Sequence, residues 1–389
     1  MRIGKDQRTF KKAFFIQRKS IRSFIFFMTL FLTTGNLFPL SAQDEKVLNI
    51  YNWTDDIAPD VLRKFEEETG IKVNYDVYDS DEVLEAKLLL GNSGYDVVFP
   101  SANPFFARQI KAGIYEKIDK SQLKNYHNLD ANVLKRLEEI DPENNYGIPY
   151  SWGTIGIAYN PEKLSKCMPG VDIEKLTENF GILFNSEIVQ HFATCGVSLQ
   201  SSALDVFNAI LVYAGVNPNT TSREEFEKAV KILKSVRPFI RKFTAGGLIE
   251  DLATGETCLA LGWSGDVLKA SLRAKELNQK FQIKYAIPKE GAEIWFEVMA
   301  IPKDAPHREN AYKFIDFILR PQVIAEITNY IYDANPNKAS LQYVAKEVRN
   351  NPIIYPPASV MKTLFVSKSA PQNFERWRSR AWIRIKTGI

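Results

Sequence analysis

From Val47 onward the apolar positions switch between two periods. Val47-Leu48-Asn49-Ile50-Tyr51 reads as a strand, and Ile57, Val61, Leu62 and Phe65 fall on one face of a helix over 59–68 that Gly70 ends. The stretch 71–77 alternates with the period of a strand, 81–90 returns to helix, and Tyr95-Asp96-Val97-Val98-Phe99-Pro100 predicts a strand ending in a turn. Strand, helix, strand, helix, strand at this spacing predicts an α/β fold whose sheet is mostly parallel and flanked by helices. Ligands of such sheets lie beyond the carboxyl ends of the strands. Trp53-Thr54-Asp55-Asp56 and Ser101-Ala102-Asn103 stand at two such ends.

A second α/β region begins near Tyr150. Gly156-Ile157-Ala158-Tyr159 is strand-like, helices are expected over 205–214 and 223–236, and Cys258 to Trp263 reads as a buried strand running into the turn Ser264-Gly265-Asp266. Ile283 to Pro288 and Trp295 to Pro302 are expected to form a strand pair, followed by helices over 311–319 and 321–330. At 389 residues the chain is long for a single core and divides into two regions joined by short crossings.

The amino terminus changes the charge argument. Eight basic residues and one acid, Asp6, accompany an apolar run over 24–32 and a small-residue site at Leu40-Ser41-Ala42. Residues 1–42 therefore read as a signal peptide, which implies export to the periplasm. Its removal takes the formal charge from +4 to −3. The remaining basic residues are interleaved with acids, so nucleic acid is not expected as a partner. An exported chain permits a disulfide. Cys195–Cys258 would close a loop worth roughly 4 kcal/mol, but the sequence leaves the pairing among Cys167, Cys195 and Cys258 open.

Three tryptophans precede carboxylates: Trp53-Thr54-Asp55-Asp56, Trp263-Ser264-Gly265-Asp266 and Trp295-Phe296-Glu297. An aromatic face attracts a cation and covers methylene groups, while a nearby carboxylate fixes an ammonium. The first two clusters have a plainer reading, an Asp that caps the following helix. The third does not, because strand alternation puts Trp295, Glu297 and Met299 on one face and leaves Glu297 in need of solvent or a cation. The acids from Asp76 to Glu85 lack calcium-loop spacing and are expected as a solvated helix start. His127, His191 and His307 are scattered, no zinc spacing occurs, and no phosphate-cradling glycine loop occurs. No catalytic residue, metal or cofactor is predicted.

Ile50-Tyr51-Asn52-Trp53, 65–73, Tyr95 to Ser101, Gly262-Trp263-Ser264-Gly265-Asp266, Pro288 to Gly291, Leu319-Arg320-Pro321 and Arg380-Ala381-Trp382 together resemble the periplasmic putrescine- and spermidine-binding proteins of polyamine ABC transporters, the putrescine type more than the spermidine type. The resemblance implies a two-lobed solute-binding fold of type II, closing on a polyamine that it delivers to an inner-membrane ABC permease. It implies one lobe of 43–150 with 276–333, a second of 151–275 with 334–389, and a monomer. It surrounds the ligand with Trp53, Thr54, Ser101, Asp205, Trp263, Asp266, Trp295 and Glu297, and it pairs Cys195 with Cys258. Asp56 and Asp333 stand where the family typically has tyrosine, and Asp55 joins the same candidate set. These added acids are expected to favour a longer or more highly charged amine, unless Arg108 neutralises Asp55 or Asp56. Two other readings are a different cationic solute or amino acid on the same fold, and a hydrolase with Asp266 and Glu297 as acid and base.

Overall fold

The computed structural model describes residues 46–244 and 246–388; the segment read as a signal peptide, 1–42, lies outside them. Nine strands form a sheet: β1 (Val47–Trp53), β2 (Lys72–Tyr78), β3 (Val97–Val98), β4 (Gly147–Tyr159), β5 (Val197–Gln200), β6 (Lys242–Thr244), β7 (Leu259–Trp263), β8 (Lys284–Ala286) and β9 (Ile294–Ala300). Their order is β2-β1-β3-β9-β4-β7-β5-β6, with β8 beside β4. Within each half the outer strands are parallel: β1 with β2 and β3, and β5 with β6 and β7. Antiparallel β9 and β4 join the halves. The architecture is α/β and two-lobed.

Local sequence explains the helices that carry the site. α1 (Pro59–Thr69) starts with a proline at its first turn and ends at Gly70, whose φ of 66° suits a residue without Cβ. Val61 and Phe65 bury its apolar face. α2 (Asp81–Leu89) follows β2. In the second half, α3 (Ala203–Tyr213) is capped by the Ser202 hydroxyl, which accepts from the Asp205 N–H. α4 (Arg223–Val236) and α5 (Ser264–Glu276) follow. The chain then returns through α6 (Arg308–Ile318) and α7 (Pro321–Ile331), and α8 (Gln372–Thr387) packs Trp382 against Phe207 and Phe243.

β4 links the two halves of the sheet. All thirteen of its residues are buried. Residues 147–154 pair with β9, 155–159 with β7, and 157–159 with β8. The expected pairing of 283–288 with 295–302 therefore does not form. Both segments are strands, but each takes a different stretch of β4, because a strand this long offers two separate partners.

Apolar packing follows the same division. One cluster gathers Ile157, Phe184, Phe207, Phe226 and Leu259. Another gathers Ile50, Phe65, Phe99, Phe314 and Ile324. Val344, Ile354 and Leu364 pack with Tyr51, Val98 and Phe106 of the first half, and Ile283 and Tyr285 pack with Leu248 and Val267 of the second. Cys195 and Cys258 form a disulfide with 5.7 Å between Cα atoms across a separation of 63 residues, and Cys167 is a free thiol. The bridge ties the approach to β5 to the approach to β7, and closing so long a loop stabilises the second half by roughly 4 kcal/mol. No described helix is long and apolar enough to cross a membrane.

Candidate functional site

The carboxyl ends of β1 and β7 carry Trp53 and Trp263, on either side of the antiparallel pair β9 and β4. Trp53 is held by its indole N–H donating to the Phe99 carbonyl at 3.0 Å and by packing on Tyr78. Trp295, on β9, lies across Gly153 of β4 so closely that a Cβ there would stand 2.4 Å from its ring. Glycine at 153 is what lets this indole lie flat on the strand. Trp263 and Trp295 pack on the core of the second half, and Trp53 on that of the first.

Acids converge between them. Asp56 follows β1 and is held by the Tyr150 hydroxyl, which donates to its backbone carbonyl at 2.6 Å. Glu297 projects from β9 and accepts from the Ser151 hydroxyl at 2.8 Å. Asp266 sits in the first turn of α5, where a helix N-terminus favours an anion. Asp333, just past α7, presses its carboxyl on Gly265, so that a Cβ at 265 would meet it at 2.3 Å. Asp56 and Asp333 are only 6% and 8% exposed.

Burial dominates the electrostatics. It raises Asp56 to about 7, against the lowering effect of Lys269 and of the nearby Glu297 and Asn52 side chains. It raises Asp333 to about 8, with Lys269 again opposing and the charges of Asp56 and Asp266 adding. Burial, then the charges of Asp56 and Asp333, hold Glu297 well above the usual carboxylate range. Asp266 is raised by burial and eased by Lys269. Several polar atoms here have no hydrogen-bond partner in the protein: Asp56 Oδ2, Asp333 Oδ1, Trp295 Nε1 and Asn52 Nδ2. Buried polar groups are nearly always paired; here two carboxylate oxygens lack a donor, and an indole and an amide N–H lack an acceptor. No described group of three His, Cys, Asp or Glu side chains could hold a metal ion.

A second acidic pair lies toward the second half. Asp205, in the first turn of α3, is raised to about 7 by burial and by the charge of Glu293, and is eased by hydrogen bonds from Ser202 and Trp263. Glu293 accepts from Asn208 Nδ2 at 2.9 Å and is also bonded by Ser367. Arg378 lies within electrostatic reach of both acids.

The profile of the family described as bacterial extracellular solute-binding protein matches residues 60–356. The chain belongs to that family. Within it, this solute-binding protein is 46% identical to the putrescine-binding periplasmic protein of Pseudomonas aeruginosa, over 89% of this chain and 94% of that one. It is 43% identical to the putrescine-binding periplasmic protein of Escherichia coli, over 92% and 97%. Its structure superposes on the spermidine/putrescine transporter substrate-binding protein of Streptococcus pneumoniae with a TM-score of 0.74 at 26% identity, covering 88% and 98% of the two chains.

Not every residue singled out in the sequence joins the cluster. Asp55 is exposed, in a left-handed turn with φ 56°, and Thr54 spends its hydroxyl on Asp79 at 2.7 Å. Ser101 is half-buried and bridges to Glu297 through the backbone. Neither Asp before α1 caps it; Ala58 holds that position. Asp266 is not the cap of its helix either, because α5 already starts at Ser264. Arg108 does not neutralise Asp55 or Asp56, since its guanidinium pairs with Glu85 and stacks on Phe105. Asp81, expected in solvent, is buried and accepts the Ser101 N–H at 3.1 Å, tying α2 to the turn after β3.

The solute-binding protein also contains two groups that sequence reasoning missed. Glu293 lies two residues before Trp295, so the alternation that selected Trp295 and Glu297 carried the signal. Lys269 lies three residues after Asp266, on the same helix face. Burial opposes its charge, but Asp333, Asp266, Asp56 and Glu297 outweigh that effect and raise it.

Proposed function

We infer that this protein captures a polyamine in the periplasm and presents it to a membrane ABC permease, with no chemistry at the site. The observation that carries the reading is the convergence of Asp56, Asp266, Glu297 and Asp333 with Trp53, Trp263 and Trp295, Asp56 and Asp333 each keeping an unpartnered buried oxygen. An ammonium supplies what those oxygens lack, and the indole faces cover the methylene chain between two ammoniums. Relatives named for putrescine and spermidine support the choice of amine.

The magnitudes agree. A ligand of about six heavy atoms can gain at most about 9 kcal/mol, which corresponds to a micromolar or slightly tighter complex. Each aromatic face contributes up to about 2 kcal/mol when desolvated, less than the several kcal/mol needed to bury an ammonium. The carboxylates therefore set affinity, and the tryptophans set shape. An amino-acid ligand fits less well, because Lys269 faces acids and is not offered to a ligand carboxylate.

Closure would occur about β4 and β9, since ligand contacts from both halves favour the closed form. The apolar clusters favour grouping 334–366 with the first lobe and 283–288 with the second, in place of boundaries at 276 and 333. A thermal-shift screen against putrescine, cadaverine, spermidine, agmatine and glutamate tests the reading. At a hundred times its dissociation constant a true ligand adds about 2.7 kcal/mol. Stabilisation by amines and not by glutamate is expected; stabilisation by glutamate alone would overturn the reading.

A further inference from the structure

The acidic cluster contains its own cation. Lys269 is half-buried on α5, one turn beyond Asp266, and the Asp333 carboxyl presses on Gly265 at the start of that helix. Acids face it from every side of the junction: Asp266 from its own helix, Asp333 from the segment after α7, Asp56 from the segment after β1 and Glu297 from β9. Their influence on it decreases in the order Asp333, Asp266, Asp56, Glu297. Three of the four acids feel Lys269 in return, as the foremost group opposing their burial. Glu297 is different: after burial, the charges of Asp56 and Asp333 act on it most, and its foremost relief is the Ser151 hydroxyl.

An ordinary structural lysine would be bonded to its acids. Here Asp56 Oδ2 and Asp333 Oδ1 keep no hydrogen-bond partner. The lysine balances the cluster through space and leaves contact positions open, so an ammonium entering beside Glu297 and Asp56 meets acids that the lysine has only partly compensated. Any additional charge along the ligand chain then comes into the field of Lys269.

Resting on the polyamine reading above, we propose that Lys269 is a specificity-determining residue, a resident ammonium that serves Asp333 and Asp266 so that the site takes the two charged ends of a diamine and disfavours an amine with a third charge. The two acids at positions 56 and 333 therefore do not by themselves turn the site toward a more highly charged ligand. One lysine offsets one of them.

Titration calorimetry of the wild type, Lys269→Met and Lys269→Arg with putrescine and spermidine tests this, with Lys269→Gln as a second neutral variant should the methionine variant not fold. Both neutral variants should shift the spermidine-to-putrescine affinity ratio toward spermidine by at least about tenfold, and the arginine variant should keep the wild-type ratio. Repeating the titrations in buffers of different ionisation heat should show more protons released on binding by the neutral variants, which a purely structural role would not produce. If the amines bind but the ratio is unchanged in a folded neutral variant, or arginine behaves as methionine does, the proposal is overturned while the polyamine reading stands. If neither amine binds any of the proteins, the polyamine reading fails, and the proposal with it.

Discussion

Glu293 and Glu297 lie four residues apart on one face at the start and middle of the β9 segment, yet their surroundings treat them differently. Glu293 is bonded by Asn208 and Ser367 and has Arg378 nearby. Glu297 has one hydroxyl, from Ser151, and otherwise faces the acids Asp56 and Asp333. The first is a buried acid whose oxygens are satisfied, so it fixes structure. The second is surrounded by like charge, a costly arrangement that persists only where something else compensates it. On the polyamine reading, partnership separates a scaffold acid from a binding acid more clearly than burial does, since neither is exposed.

The largest effect should come from removing the acid that Lys269 compensates least. Glu297→Gln should weaken amine binding by at least about 100-fold, equivalent to about 2.7 kcal/mol, because a desolvated ammonium loses its partner. The ligand-free protein should melt at a higher temperature near neutral pH, since the cost of holding a proton on a buried acid has gone. Calorimetry showing less than about a fivefold loss would remove the distinction between the two glutamates.

A smaller effect follows from pH. Asp56 and Asp333 titrate near 7 and 8 in the folded protein, against about 3.9 for an unfolded aspartate. Between those values the folded state binds more protons than the unfolded one, so ligand-free stability falls as pH rises from about 5 to 8. An ammonium prefers the ionised acids, so its affinity should rise by about tenfold from pH 6 to 8, with proton release on binding. Affinity that is flat or falls over this range would contradict the protonated state of the unliganded cluster.

The smallest effect on binding should come from the satisfied acid. Glu293→Leu removes the acceptor of Asn208 and Ser367, leaving them only the bond they make to each other, and should cost about 1–3 kcal/mol of folding stability in urea melts. Amine affinity should change by less than about threefold. A large loss of affinity with unchanged stability would move Glu293 from scaffold to binding group.

Much of the fold was legible because local patterns and tertiary contacts agree. The helices over 59–69, 203–213, 223–236, 308–318 and 321–331 form where the apolar periodicity places them. The tryptophan–acid motifs were legible as chemistry, since residue type alone states what an indole and a carboxylate can attract. What failed was pairing. β8 and β9 read as mutual partners because they are consecutive, but β4 is long enough to take them both. Asp81 and Arg108 failed for a related reason: a buried N–H at Ser101 and a nearby Glu85 claimed them, and neither partner is adjacent in sequence.

The sequence by itself determined the alternating α/β elements, the family, and the residue types able to hold a charged alkylamine. Those depend on periodicity and side-chain chemistry, which are properties of short stretches. Only the tertiary structure decided which acids meet, which keep free oxygens, and that Lys269 stands among them. Charge acts through space and burial magnifies it, so segments more than two hundred residues apart in the chain, such as those bearing Asp56 and Asp333, set one another's protonation once the fold has brought them together.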